Sequence, residues 1–351
     1  MNEAFIFSYY LPTQPALEVP LYNELVGRGI KVSFVLAQDD PRLKNNYFVS
    51  MLPSSLVAIS NPKQLNKMMN DKDLLICRFG YKGFIGDMAR LVKMSRKNVL
   101  MYDVGGVDIF FREVPATYLI AKTEWYKQQT LKKIGAKYKD IFSIGSIQFD
   151  DIFRLRNKVN RDVFAKIHGI DCSKKIAVLI PANPGEAYMA GIKDDYRKIV
   201  EVVGKCKEYE LIIKGHPSDY ALTKSLHYNG KHSWETFAPK SKIIGAEYGY
   251  EALAICDVVL NIRSSLALEI PILYKPLINI NSHKYVINWS KSNNPGVMKN
   301  IGLDKLEVVL NAGDYFVDNK ACSAYTNIYC DLYADGKAYI RTADIIMKLL
   351  S

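Results

Sequence analysis

Short apolar runs alternate along this chain with stretches in which apolar residues return every three or four positions. Read as strands, the runs are Glu3–Tyr9, Lys31–Leu36, Leu56–Ile59, Asp73–Arg78, Asn98–Tyr102, Tyr118–Ala121 and Asp140–Ile144. The spacing between them predicts helices, for example over Ala16–Arg28 and Gly83–Ser95. Strands separated by helices form a mostly parallel sheet, because each return to the same sheet edge needs a crossover.

A second series begins with the β-branched run Lys175–Ile180, which ends in the loop signal Pro181-Ala182-Asn183-Pro184-Gly185. A helix over Asp194–Cys206 and strands at Glu210–Lys214, Lys242–Gly245, Val258–Ile262 and Leu277–Ile280 continue it. Between the series, Asp151–Ser173 is polar, charged and helical in flavour. The tail Gly336–Ser351 carries Ile340, Ala343, Ile346, Met347 and Leu350 on one helical face. The expected organisation is a first domain over 1–150, a connection over 151–173, a second domain over 174–335, and a C-terminal helix over 336–351 that packs back across the cleft. The fold class is α/β, with two Rossmann-like doubly wound domains facing a central cleft.

Composition narrows the class. With 351 residues, 49% of them hydrophobic, the chain can bury two cores of ordinary size. No apolar run reaches the roughly 20 residues that span a bilayer, and the first residues lack the basic lead and small-residue cleavage site of a signal peptide. The six cysteines are scattered without a CxxC pair, which points to free thiols in a reducing cytoplasm. The net charge of +11 is not gathered into an arginine-rich arm or an aromatic–basic motif, so nucleic acid is not favoured as a partner. It does concentrate locally. Lys122, Lys127, Lys132, Lys133, Lys137 and Lys139 face one acid, Glu124, and Arg90, Lys93, Arg96 and Lys97 form a second basic stretch. Such stretches are either solvated helix faces or sites of adhesion to an anionic membrane surface.

Ligands of open α/β sheets gather where strands end, so polar residues that follow apolar runs are the candidates for chemistry. Lys214-Gly215-His216-Pro217 closes one strand. Lys214 and His216 can donate to phosphate and His216 can deliver a proton, although a histidine capping its own loop explains the same residues. Arg263-Ser264-Ser265 follows another strand and opens an expected helix that carries Glu269. Hydroxyls and free N–H groups at a helix start suit an anion, and Glu269 can reach a ribose diol; an ordinary cap is the alternative. Gly145 through Phe149-Asp150 reads as a turn into the connection. Asp103 and Asp108 flank a glycine pair after a first-domain strand and offer a catalytic base or a turn cap.

In their order and spacing these pieces resemble the GT-B glycosyltransferase superfamily. The resemblance is to its members using CMP- or CDP-activated donors: bacterial sialyl- and polysialyltransferases, Kdo transferases and CDP-glycerol glycerophosphotransferases. It rests on Lys214-Gly215-His216-Pro217, on Ser264-Ser265, on Ala267-Leu268-Glu269 with Lys275-Pro276, on Gly145 with Phe149-Asp150, and on Asp335-Gly336-Lys337-Ala338 with Arg341. The resemblance implies that the first domain binds the acceptor and the second the donor. It puts the donor phosphate on His216, Ser264 and Ser265, with Pro217 holding the histidine, Lys214 and Arg263 adding positive charge, and Glu269 on ribose.

For the base, the resemblance implies an N-terminal acid. Asp103 resembles the aspartate of an acidic-x-Gly element, with Val104 where the second acid would stand, and Glu18 in Pro15-Ala16-Leu17-Glu18-Val19-Pro20 resembles the catalytic glutamate of Kdo transferases. The implied activity is transfer of a sugar from a CMP- or CDP-linked donor, UDP being the other candidate, to a cell-surface polysaccharide or lipid-linked glycan of capsule or lipopolysaccharide type. It needs no cofactor or metal, and no D-x-D pair suited to a divalent cation stands out. The expected place is the cytoplasm, with peripheral contact at the inner face of an anionic membrane. Alternatives are a CDP-alditol phosphotransferase of the glycerophosphotransferase type, a nucleotide-sugar epimerase, for which no clear Asp-Ser-Gly-Gly run is found, and a non-catalytic glycan-binding protein.

Overall fold

The computed structural model describes residues 2–8, 18–40, 52–78, 83–104, 114–134, 137–181, 193–215, 242–245, 248–281 and 294–351. They form two compact units, Met1–Asp151 with Asn327–Ser351, and Ile152–Thr326.

The first unit holds a parallel sheet of β1 (Glu3–Phe7), β2 (Lys31–Ala37), β3 (Leu56–Ile59), β4 (Leu74–Arg78), β5 (Asn98–Val104), β6 (Tyr118–Ala121) and β7 (Asp140–Ser143). Their order is β3-β2-β1-β4-β5-β6-β7, doubly wound outward from β1 and β4. The two-residue period of a strand sends side chains to both faces, and both are covered. Ala4 and Ile6 of β1 pack with Leu21 and Leu25 of the helix Val19–Gly27 and with Ala343, Ile346 and Leu350 of the tail helix Ala338–Leu350. Phe5 and Phe7 pack on the opposite face with Leu65, Met88, Val92 and Tyr126. Burial on both sides makes these strands read as continuous apolar runs.

The second unit repeats the plan with β8 (Lys175–Ile180), β9 (Tyr209–Lys214), β10 (Lys242–Ile244), β11 (Val258–Asn261), β12 (Leu277–Asn281) and β13 (Lys299–Gly302). Their order is β10-β9-β8-β11-β12-β13, again all parallel. Two Rossmann-like doubly wound domains are therefore present. The helix Arg161–His168 starts on Asn160, whose side chain accepts from Val163 N, and stops at Gly169, whose φ of 62° lies in the left-handed region.

Residues 327–335, which the sequence reading placed in the second domain, group with the first unit. Their anchor is Asp331, fully buried, which accepts from Ser146 N at 2.9 Å. Asp150 then receives Ala338 N and Tyr339 N, each at 2.9 Å, and Arg341 Nε donates to Ile144 O at 2.7 Å. The turn at Gly145 and the closing segment from Asp335 to Arg341 are thus hydrogen-bonded partners.

Candidate functional site

In the second sheet the winding reverses between β8 and β11, and a ligand crevice forms outside the carboxyl ends of strands at such a point. The Ser264-Ser265 pair follows β11 there. Its turn is anchored from below by Asn261, the last residue of the strand, whose Oδ1 accepts Ser264 N at 2.8 Å. Asn261 Nδ2 donates to Asn279 Oδ1 at 2.9 Å, and Asn279 Nδ2 donates to Asn300 Oδ1 at 3.0 Å. Asn261 and Asn279 are fully buried. An amide ladder therefore runs in register from the end of β11 across β12 and β13 and holds the serine turn. A buried amide is tolerated because its polar groups are partnered.

The expected helix after these serines is instead a pair of 3₁₀ turns, Ser265–Leu268 and Ile270–Leu273. Pro271 is the reason: it has no N–H to bond Ala267 O, and its ring would collide with that carbonyl in an α-helix. Ser264 caps the first turn, accepting from Leu266 N at 3.4 Å, and Ser265 stands exposed. Glu269 sits at the junction of the turns, half-buried, and accepts from Tyr250 Oη at 2.8 Å. Arg263 is half-buried beside the serines in sequence.

Lys214 ends β9, on the same carboxyl edge and one strand beyond β8. It is almost fully buried, and its methylenes lie directly over Gly249, where a side chain would collide with them. Gly249 begins the helix Gly249–Ile255, whose next residue is the Tyr250 that holds Glu269. Lys214 and Glu269 are thereby tied to neighbouring residues of one helix. His216 and Pro217 lie outside the described residues.

In the first sheet the reversal lies between β1 and β4. Glu18 is buried there, 2% exposed, just before the helix Val19–Gly27. Its carboxylate accepts from Ser8 Oγ at 2.8 Å and from Tyr102 Oη at 2.5 Å. Tyr102 pairs in register with Arg78, the last residue of β4. Arg78 Nη2 donates to Gln148 Oε1 at 2.9 Å, and Lys122 Nζ donates to the same oxygen at 3.1 Å. Asp103 lies where the β5–β6 register shifts, between Met101 and Val104; its backbone alone is described, and Asp108 lies outside the described residues. The sequence reading missed Ser8, Arg78, Tyr102, Lys122 and Gln148. Arg78 carried a usable signal, since it closes an apolar run.

Part of the basic charge is committed internally. Lys122 is buried, with Nζ 4.6 Å from the centre of the Phe149 ring, so it is not a surface lysine. Lys93 Nζ donates to Ala116 O, Lys97 Nζ to Asn66 O and Met69 O, and Arg90 pairs with Asp87 at 2.8 Å. The exposed remainder of the first stretch is Lys132, Lys133, Lys137 and Lys139, with Lys127 half-buried.

A cavity of about 420 Å³ opens elsewhere in the second unit, lined by Asp195, Glu201, Asp304 and Glu307 together with Lys198 and Lys205. Its acidic excess disfavours a phosphate there. Among the described residues no group of three or more His, Cys, Asp or Glu side chains is arranged to hold a metal ion, and no helix is long and apolar enough to cross a membrane.

No protein-family model matches the chain, and no curated protein sequence matches it significantly. Solved structures do. The UDP-GlcNAc 2-epimerase from Neisseria meningitidis bound to UDP-GlcNAc is similar with a TM-score of 0.69 at 13% identity, over 99% of this chain and 100% of that one. S. aureus MnaA with UDP gives 0.67 at 13%, over 100% and 97%. The wall teichoic acid polymerase TagF gives 0.62 at 14%, over 99% and 88%. At such identities the shared property is the fold, two Rossmann-like units of the GT-B type.

Proposed function

We propose that the chain is an enzyme acting on a nucleotide-activated sugar. The favoured reaction is transfer of that sugar to a cell-surface polysaccharide or lipid-linked glycan. The observation that carries this reading is the serine turn at the β8/β11 reversal, held by the Asn261–Asn279–Asn300 ladder. Hydroxyls and turn N–H groups fixed at a strand end suit a diphosphate or phosphate diester. Two of the similar structures are recorded with UDP-GlcNAc and with UDP, and a TagF structure follows a soak with CDPG. In this reading Ser264 and Ser265 hold the donor phosphate and Glu269 takes the ribose. Lys214 and Arg263 supply positive charge as the phosphate leaves, and His216 contacts that phosphate or protonates it.

The acceptor hydroxyl attacks the anomeric carbon while a first-domain carboxylate takes its proton. Glu18 fits that task on the described geometry, being fixed by two hydroxyl donors at a strand-end reversal; Asp103 and Asp108 are the rivals. Peripheral contact with an anionic membrane belongs to the same reading, through the exposed lysines of 132–139. Thermal-shift titration with CMP, CDP, UDP and GDP tests the donor site: one pyrimidine nucleotide should raise the melting temperature, and no response to any of them would defeat the reading.

A second reading, epimerisation, draws on the similarity to UDP-GlcNAc 2-epimerases over nearly the whole chain. Incubation with UDP-GlcNAc in D₂O separates the two. An epimerase yields a new sugar nucleotide labelled at C2 without an acceptor, whereas a transferase releases nucleotide when an acceptor is supplied.

A further inference from the structure

We infer that the cavity of the second unit, walled by the helices Lys193–Lys205 and Leu306–Ala312, binds a small organic cation with primary ammonium groups, of the polyamine class. The deciding residue is Asp195. It lines the cavity, is 8% exposed, and its Oδ2 is buried without a hydrogen-bond partner. A carboxylate oxygen withdrawn from water costs free energy until a donor reaches it. The preceding residue shows the contrast: Asp194 is exposed and pairs with Arg197 at 3.3 Å. Lys198 stands one turn beyond Asp195 on the same helix, yet it does not bond that oxygen.

Helix-start charge does not account for these acids. Asp195 and Glu307 each occupy a first helical turn, where the N-terminus supplies about +0.5 charge. Asp304 joins them from the 3₁₀ turn Leu303–Lys305, its Oδ1 lying over Gly302, where a side chain would collide with it. Three carboxylates outweigh two such half-charges. Glu201 is the fourth acid, and Lys198 and Lys205 flank it at helical spacing, so their charge is set largely against it. Gly302 ends β13 and lines the cavity, which therefore opens at the carboxyl edge of the sheet, where ligands of parallel sheets bind. Half-buried Val202 and Leu303 add apolar wall for methylene groups, and a volume of about 420 Å³ suits a small molecule. Among the described residues no three acids converge as metal ligands do, so the charge is spread as on a chain of amines. The buried oxygen requires an N–H donor, which a primary ammonium has and a quaternary one lacks.

The test uses the full chain with putrescine, spermidine, tetramethylammonium and Mg²⁺ as probes, read by calorimetric titration at low salt. Putrescine or spermidine should bind, and tetramethylammonium and Mg²⁺ should bind about tenfold more weakly or not at all. Asp195→Asn should weaken the amine about tenfold or more, whereas Asp194→Asn, one residue away and outside the cavity, should leave it unchanged. In the unaltered chain the bound amine should slow amide hydrogen exchange over 195–205 and 302–307, a measurement that needs no variant to fold. No binding of either amine, equal binding of tetramethylammonium, equal losses in Asp194→Asn and Asp195→Asn, or unchanged exchange in those segments would each overturn the assignment.

Discussion

The carboxylate of Asp331 stands directly over Gly145: a Cβ on that glycine would come within 2.5 Å of Asp331 Oδ2. Gly145 also has φ of 94°, a conformation that a side chain disfavours. Gly145→Ala therefore combines backbone strain with a collision against a buried group that Ser146, Tyr333 and Ala334 N–H groups hold in place. It should destabilise the first unit by about 2–4 kcal/mol. Gly29→Ala, at φ of 79° with nothing within 4 Å, should cost only about 1 kcal/mol. Denaturant unfolding of the two variants checks the difference, and equal losses would show that the carboxylate yields.

The same clasp should respond to acid. Burial pushes the Asp335 carboxyl up, but its bonds from Arg341 and Lys337 N outweigh this and hold it below the ordinary value. A lowered native value means stability present above the unfolded pKa of about 3.9 and lost as pH falls through the native one. Asp331 has the opposite sign, because burial holds its carboxyl up against its N–H donors, so its protonation favours the native state in acid. Asp335→Asn should therefore lower stability at neutral pH and make the remaining stability less sensitive to acid. Melting curves of both proteins between about pH 3 and 6 test this, and parallel acid limbs would contradict it.

How far this was readable follows from burial. Twelve strands were legible as apolar runs because both sheet faces are covered, whereas β13, with only Ile301 buried in Lys299-Asn300-Ile301-Gly302, gives no run. Residues following runs led to Lys214, Ser264, Ser265 and Glu269. Asn261 and Asn279 were passed over because a polar residue inside a run carries no mark of the neighbour it will bond. Lys122 was misread for a different reason. Its sequence neighbours are surface lysines, and only the strand order brings it to Gln148 beside Arg78.

Within the donor site the two serines should separate. Ser264→Ala loses the cap on Leu266 N, a long bond at 3.4 Å, and should cost about 0.5–1 kcal/mol of stability. Ser265 is exposed, so Ser265→Ala should stay within about 0.5 kcal/mol of the parent. Both should weaken the favoured nucleotide several-fold. Unchanged affinity in both would remove the serine turn from the site.

Base assignment is decided by three variants. Glu18→Gln keeps an acceptor for Tyr102, and Ser8 can reverse to accept from the new amide, so the fold should survive. Turnover should fall about 10²–10⁴-fold with nucleotide affinity nearly intact. Full activity in Glu18→Gln, with loss in Asp103→Asn or Asp108→Asn, would move the role to the affected aspartate.

Membrane adhesion now rests on a smaller set of charges than the sequence suggested. Lys122 is buried, and Lys93 and Lys97 donate to backbone carbonyls, whereas Lys132, Lys133, Lys137 and Lys139 of the first stretch and Arg90 and Arg96 of the second are exposed. Each exposed basic side chain near an anionic leaflet contributes about 1 kcal/mol, so a set of this size supports reversible binding but not stable anchoring. That binding should fall steeply with salt, because exposed charges are screened within about 8 Å at physiological ionic strength. Sedimentation with anionic and neutral vesicles at two salt concentrations reads it directly. Lys132→Glu with Lys133→Glu should abolish recovery with anionic vesicles at low salt, whereas Lys122→Met should leave it unchanged. Equal recovery in the supernatant with both lipids at both salts would instead mark these lysines as a solvated helix face.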